Sequence, residues 1–504
     1  MNQYAAFVPP RATDARMMTR RYQMLIDGKS VDAESGETIS RESPAYAGLI
    51  AAEIPRASRA DAERAILVAR KAFDEGRWPK MSGMERSRIL HRISEAILEH
   101  KEELATIEAL EGGKAIAGVR GEMAFSAELW RFAAGHAQGL TGETHNGLGD
   151  NALGLMLREP IGVVGIITPW NYPLLIGSER VPWALGAGCT VVLKPSEFTS
   201  GSSIRLAELA RDCGPPDGVF NVVTGYGDPV GQSFAEHPAT DFLSFTGSFR
   251  VGQIVGGLAA SRIKRVGLEL GGKGPQIVFA DSDMGAAADS IASSVFGNSG
   301  QTCIAGTRMI VEEGAREEML ERLTAIARKV PIGDPLDDKV KVGSLIHRPH
   351  LEKVEKYVAD GQQEGAKLVI GGERLGNVGN YYTPTIFSGV TPEMVIAKDE
   401  IFGPVLSSFS FTQPEEAVRL ANDTHYGLSA HVWSRNLDKA IKTIRKVRAG
   451  RTWVNGSGAG VPEMGVGGYK QSGIGRELGK YGFDEYSSFK SVYVTLRQGG
   501  PWIR

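Results

Sequence analysis

Residues 160–194 read PIGVVGIITPWNYPLLIGSERVPWALGAGCTVVLK, and the folding of this stretch decides the class of the protein. Positions 160–178 carry no charge, a run close to the length of a membrane helix. Pro169 and Pro173 interrupt it around Asn171, however, and Val and Ile dominate its first half. A buried parallel strand leading into a loop therefore accounts for it better than a membrane span. Outward from it, short β-branched runs recur: CTVVL (189–193), VFNVV (219–223) and DFLSF (241–245), with SIRLAELARDC (203–213) as a crossover helix. This alternation predicts right-handed βαβ units and a parallel sheet of nucleotide-binding type.

A second series starts near 274 with PQIVF (275–279), TRMIVEE (307–313) and the helix REEMLERLTAIARKV (316–330), which sets a domain boundary near 270. The region before 137 reads as helical. Ser58 opens one helix, and Ser82 with Glu85 has capping-box spacing ahead of a continuous helix over 85–110. Ile89, Ile93 and Ile97 mark its buried face. The first 22 residues read as a loose arm, not a signal peptide. The C-terminal YSSFKSVYVTL (486–496) alternates as a strand that pairs outside its own domain.

The 504-residue chain has 57 Lys plus Arg against 59 Asp plus Glu, a formal net charge of −2. With no basic excess to displace counterions, a nucleic-acid partner is excluded as an expectation. At 42% hydrophobic and 23% charged residues, the composition is that of an ordinary globular protein, so no membrane association is expected. Cys189, Cys213 and Cys303 lie far apart with no C-x-x-C pair. That argues against a disulfide framework or a zinc site, and for a reducing, cytoplasmic setting. None of the nine histidines has metal-site spacing, so no metal is expected. His347 and His350, bracketing HRPH, read as a surface turn.

Three polar residues stand out. Cys303 lies in GNSGQTCIAGTR (297–308), where small neighbours suit either an accessible thiol or a small buried hydrophobe. Glu269, between Leu268 and Leu270 and ahead of Gly271-Gly272, is a desolvated carboxylate suited to general-base work, or else an ordinary paired glutamate. Asn171 in TPWNYP is an amide in an apolar loop, placed either to meet a ligand or to cap a turn. DFLSFTGSFRVG (241–252) gives strand, glycine turn and helix start, a phosphate-compatible pattern that is not the G-x-G-x-x-G fingerprint. Gly225–Gly231 reads as a turn.

Together, PWNYP (169–173), KPSE (194–197), FTGS (245–248), LELGGKGP (268–275), GQTC (300–303), EIFGPV (400–405) and GGYKQSGIGRE (467–477) resemble the aldehyde dehydrogenase superfamily, in that family's order and over most of the chain. The resemblance implies an α/β fold of two Rossmann-like parallel-sheet domains with a small β oligomerisation extension. Residues 1–136 and 160–270 would bind NAD, 271–464 would form the catalytic domain, and 137–159 with 485–504 would form oligomerisation strands of a homodimer or homotetramer. It implies NAD-dependent oxidation of a small-molecule aldehyde to the acid, with Cys303 as nucleophile, Asn171 in the oxyanion hole and Glu269 activating the hydrolytic water. By the same likeness Lys194 and Glu197 reach the adenosine ribose, Gly247 and Ser248 the pyrophosphate, and Glu400 the nicotinamide ribose, with Trp170 and Phe402 beside it. A carboxylate on the ribose hydroxyls repels a 2′-phosphate, which favours NAD over NADP. Tyr172, Glu179, Thr302, Ile304, Glu463 and Val466 would line the substrate entrance, and Glu477 a proton route.

The departures bear on substrate. Glu179 stands where relatives carry an aromatic, or an arginine in the succinate-semialdehyde branch. Arg180 replaces the usual lysine, and an arginine does not relay protons. Gly465-Val466 replaces Pro-Phe, after the glycine-rich loop NGSGAGVPE (455–463). A widened, acidic entrance through Glu179 and Glu463 predicts a neutral or cationic aldehyde of the amino or betaine type. The alternatives are an acid semialdehyde, or transfer of the acyl group to CoA; Glu269 argues against the latter.

Overall fold

The computed structural model describes residues 7–10, 19–458 and 460–496. The uncharged run becomes the strand Val163–Ile167, buried at every position. It pairs in parallel with Thr190–Lys194 on one side and Phe242–Thr246 on the other. The β-branched side chains fill both faces, as a strand covered by helices on each side requires. Arg265–Glu269 and Phe220–Val222 extend the parallel core outward. Gly473–Ile474 closes one edge antiparallel, and Met24–Ile26 with Lys29–Val31 closes the other, giving eight strands. The chain leaves Val163–Ile167 toward Thr190–Lys194 and later returns to its opposite side at Phe242–Thr246. A topological switch point therefore lies beyond the carboxyl ends of these two strands, where open α/β sheets bind ligands.

A second sheet of seven strands runs in the order Lys367–Ile370, Thr385–Ser388, Val405–Phe411, Arg308–Glu312, Pro275–Val278, Ser429–Trp433, Arg451–Val454. All its pairs are parallel except the first. The α/β class with two mostly parallel sheets is thus as expected. Among the described residues, no helix is long and apolar enough to cross a membrane.

Several local expectations need correction. The helix expected over 85–110 is two, Gly83–Glu99 and Lys101–Gly112, broken at His100, whose ψ of 16° leaves the helical range. The capping box at Ser82 and Glu85 forms, and so does one at Ser58 and Asp61. HRPH is no surface turn: His347 caps the helix Arg348–Gln363, and His350 is buried with Nε2 2.7 Å from the Phe402 carbonyl oxygen. Gly227–Gly231 leads into the helix Gln232–Glu236, with Asp228 at a non-helical φ of −108° and ψ of 122°. The early region also holds strands, among them Thr38–Glu42 paired with Ile50–Pro55. Within the supposed loose arm, Phe7–Val8 pairs with Ile332–Gly333; residues 1–6 and 11–18 lie outside the described residues.

The C-terminal strand Ser487–Thr495 pairs antiparallel with Ala152–Pro160 of the same chain, from Ser487 opposite Pro160 to Thr495 opposite Ala152. Glu143–His145 completes that three-stranded sheet. Residues 497–504, counted with this extension, lie outside the described residues.

Ile89, Ile93 and Ile97 all face the main core. Ile93 is fully buried, so Ile93→Ala should cost about 2–5 kcal/mol through the cavity it leaves. Leu98→Ala, on the exposed side of the same helix, should cost far less; denaturant midpoints of the two variants check this.

Candidate active site

A cavity of about 590 Å³ lies between the two sheets. Thr246 and Glu269 reach it from the carboxyl ends of first-sheet strands. Cys303, Leu428 and Arg451 reach it from the start of second-sheet strands, or just ahead of them. The site is the seam where one sheet's carboxyl edge meets the other's amino edge.

Two glycines make the seam possible. A Cβ on Gly272 would lie 2.3 Å from the Cys303 carbonyl oxygen, and one on Gly271 would lie 2.3 Å from Glu400 Oε2. Bare backbone lets the segment after Glu269 touch both. Glu400 Oε1 accepts a hydrogen bond from the Gly272 N–H at 2.9 Å.

The loop before Cys303 is strained. Asn298, Ser299 and Gly300 have φ of +49°, +55° and +73°, left-handed values that cost a non-glycine residue free energy. Side chains hold the loop in place. Ser299 Oγ donates to the Gly343 carbonyl at 2.8 Å, and Gln301 Oε1 accepts from the Ile346 N–H at 2.9 Å. Asn171 Nδ2 donates to the Gln301 carbonyl at 3.0 Å, and Asn298 Nδ2 donates to the Asn171 carbonyl at 3.1 Å. Asn171 is therefore locked to the segment that carries Cys303. Tyr172 shares a 2.8 Å hydroxyl hydrogen bond with Thr302, and the Lys114 ammonium sits 4.2 Å from the Tyr172 ring centroid.

Burial pushes the Cys303 thiol up to about 12, with Glu400, Glu269 and Glu179 adding to the rise and Arg451 opposing it. Burial likewise raises Glu269 to about 8, against the pull of Arg180. One carboxyl oxygen of Glu269, Oε1, is buried without a hydrogen-bond partner, as is Asn171 Oδ1. Arg180 is itself buried, with Nε 3.4 Å from Glu477 and Nη1 3.3 Å from Glu179. Glu477, raised to about 7 chiefly by burial, also accepts hydrogen bonds from Tyr486 (3.2 Å) and Ser244 (3.3 Å).

The expected cofactor residues gather at the switch point. Trp170 follows the Val163–Ile167 strand and meets Phe402 edge-on at 5.3 Å. Lys194 ends its strand buried, with Nζ on the Pro195 carbonyl and 4.0 Å from Glu197. Gly247 follows Phe242–Thr246, and exposed Ser248 caps the helix Phe249–Ser261. A carboxylate, a buried ammonium and a helix amino end beyond the strand ends together suit a dinucleotide.

Tyr172, Glu179, Thr302, Ile304, Val466 and Glu477 all line the cavity. Glu463 is exposed and is not among the residues that line the cavity. Arg451, Phe125 and Glu122 line the cavity without having been expected. No motif marks them. The only signal is the arginine opening the strand RTWV (451–454), and a strand sequence does not disclose what its first side chain faces.

The description "Aldehyde dehydrogenase family" matches residues 30–492. A crystal structure of an NAD-dependent aldehyde dehydrogenase from Sinorhizobium meliloti is 60% identical, with TM-score 0.98, covering 99% of this chain and 100% of that one. Betaine aldehyde dehydrogenase of Bacillus subtilis is 41% identical over 479 residues, 94% of this chain and 97% of its own length. A Staphylococcus aureus betaine aldehyde dehydrogenase solved with NAD+ is 34% identical, with TM-score 0.93, covering 95% of this chain and 96% of that one. This chain belongs to the aldehyde dehydrogenase family. Two of the residues its motifs singled out, Cys303 and Glu269, line the cavity, and a third, Asn171, is hydrogen-bonded to the Gln301 carbonyl two residues before Cys303.

Because Arg180 favours the charged form of Glu269, Arg180→Gln should raise the carboxyl further. The acid limb of the pH–rate profile, expected near 8 in the unaltered protein, should then move to higher pH. Arg180→Lys, which keeps the charge, should move it less. Separately, Gly272→Ala should displace the Cys303 segment and cut thiol alkylation and turnover together.

Proposed function

We propose that the protein oxidises an aldehyde to its carboxylic acid with NAD as acceptor, through a thioester on Cys303. The observation that carries this reading is one cavity holding Cys303 and Glu269 together, with Asn171 hydrogen-bonded to the segment that bears the thiol.

A thiol near 12 is almost wholly protonated at neutral pH, so a base must take its proton for attack. Glu269, near 8 and close enough to influence the thiol, is the base within reach. The Cys303 sulfur adds to the carbonyl carbon and forms a thiohemiacetal. Asn171 Nδ2 spends one hydrogen on the Gln301 carbonyl and has a second for the oxyanion, beside the Cys303 backbone N–H. Losing one such donor typically costs about 10²–10³ in rate. When bound, NAD supplies the hydride acceptor that turns the thiohemiacetal into a thioester. After passing the thiol proton to solvent, Glu269 takes a proton from water, which adds to the thioester carbonyl; the C–S bond breaks, releasing the acid, and Glu269 returns its proton to the sulfur to restore the thiol. Hydrolysis at Glu269 is also why transfer to CoA is not the reading adopted.

Arg180 holds its charge throughout, so it positions Glu477 and biases Glu269 and does not carry protons. Lys194, Glu197, Ser248 and Gly247 would hold the adenosine and pyrophosphate, and Glu400 with Phe402 and Trp170 the nicotinamide half. Glu197 at the ribose hydroxyls disfavours NADP.

Two relatives named for betaine aldehyde, together with Glu122 and Glu179 on the cavity wall, support a neutral or cationic substrate. Each of those glutamates shares a cation with a second carboxylate: Glu122 shares Lys114 with Glu108, and Glu179 shares Arg180 with Glu477. The wall around the thiol (Phe125, Leu175, Ile176, Ile304, Val466) suits an uncharged carbon chain next to the carbonyl. A second reading, an acid semialdehyde, is favoured by Arg451.

Cys303→Ala should abolish NADH formation. Glu269→Gln should spare a first-turnover burst yet stop steady turnover, as read by stopped-flow absorbance. Full steady turnover in Glu269→Gln would remove that residue from the hydrolytic role.

A further inference from the structure

The charges on the cavity wall do not cancel evenly. Glu179 lies 3.3 Å from the buried Arg180 guanidinium, which also holds Glu477. Glu122 is in direct contact with the Lys114 ammonium, itself 3.5 Å from Glu108 and over the Tyr172 ring. Glu269, raised to about 8 by burial, is mostly uncharged at neutral pH. Each of these two cations, Arg180 and Lys114, is thus shared between two carboxylates.

Arg451 is the exception. It opens the strand Arg451–Val454, is half-buried, and lines the same cavity as Cys303. Its guanidinium stacks over Trp453 at 5.2 Å from the ring centroid and has no carboxylate partner among the described residues. It lies close enough to pull on the Cys303 thiol. A planar guanidinium held on an aromatic face, with no carboxylate partner among the described residues, is suited to a planar or tetrahedral oxyanion. Phe125, Ile304, Leu428 and Val466 give the same cavity apolar lining.

We propose that Arg451 is the specificity-determining residue of this site, and that it binds the anionic end of an aldehyde whose short apolar chain places the carbonyl at Cys303. The ligand class is an aldehyde ending in an oxyacid anion: carboxylate, sulfonate or phosphonate. This rests on the aldehyde-oxidising reading above and, for the substrate, takes its second form, the acid semialdehyde, in place of the neutral or cationic one. It reverses the charge that Glu179 and Glu463 suggest in the sequence, because Glu179 is ion-paired with Arg180 and Glu463 is exposed and absent from the cavity lining.

The test uses the full chain with NAD and pairs of aldehydes matched in length. The pairs are succinate semialdehyde with butyraldehyde, glutarate semialdehyde with pentanal, and adipate semialdehyde with hexanal; 4-aminobutyraldehyde serves as the cationic counterpart. For at least one pair, kcat/KM of the anion should exceed that of its uncharged partner. The ratio should fall about 10–100-fold in Arg451→Gln, the range for losing a hydrogen bond to a charged group, and be largely kept in Arg451→Lys. A ratio within one preparation is insensitive to partial misfolding of a variant. Oxidation of every aldehyde with no anion preferred at any length overturns this proposal alone, as does a preference unchanged in Arg451→Gln, or 4-aminobutyraldehyde being the best substrate. No NADH from any aldehyde overturns the aldehyde-oxidising reading itself. A sulfonate-ended aldehyde of the best length, compared with the carboxylate, distinguishes the two anions.

Discussion

The contact of Gly271 and Gly272 with Glu400 and Cys303 is what the rest of the site hangs on. These glycines follow the last residue of Arg265–Glu269 and lead directly into Pro275–Val278, so a few residues connect the carboxyl edge of one sheet to the amino edge of the other. Side chains here would hold the two sheets apart. Bare backbone brings Glu269 and Cys303 onto one cavity, and Glu400 against the same glycines, although the sequence places them in three separate segments. The C-terminal stretch braces the same seam: Gly473 pairs with Glu269, the Leu270 N–H donates to the Ser472 carbonyl, and Ser472 Oγ donates to the Gly271 carbonyl.

That closeness has an electrostatic consequence. Burying a thiol and several carboxyl groups in one seam raises all of them, since each charged form loses water without gaining full compensation. Raised carboxyl groups are an advantage for proton transfer, because a base near 8 can both accept and return a proton near neutrality. Arg180 limits the rise. Its permanent charge keeps Glu269 from climbing further, and it does so from a fixed position, pinned by Glu179, Glu477 and the Ile176 carbonyl.

Strain and rigidity complement each other around the nucleophile. Three successive left-handed residues precede it, and the hydrogen bonds from Ser299, Gln301, Asn171 and Asn298 hold them. A thiol carried on a loop would otherwise wander. Here the loop is over-determined by its partners, and the Asn171 amide is hydrogen-bonded to the segment that carries the thiol.

Much of this was legible in the amino-acid order. The uncharged run at 160–178 declared a buried strand through its β-branched residues and prolines, and the capping boxes at Ser58 and Ser82 marked helix starts, because such signals depend only on near neighbours. Seven motifs sufficed for the family, and two of the residues they single out, Cys303 and Glu269, meet on one cavity. The break at His100, the capping role of His347 and the strands before residue 56 were not legible, because tertiary packing overrides local preference there. Charge balance in the cavity was the least accessible. Glu179 and Glu463 look alike as letters, yet one is ion-paired on the wall and the other faces solvent, while Arg451 carries no motif and still reaches the thiol's cavity. Composition and motif determine which reaction groups are present. Which charges survive neutralisation depends on neighbours distant in the chain, and only the folded structure brings those together.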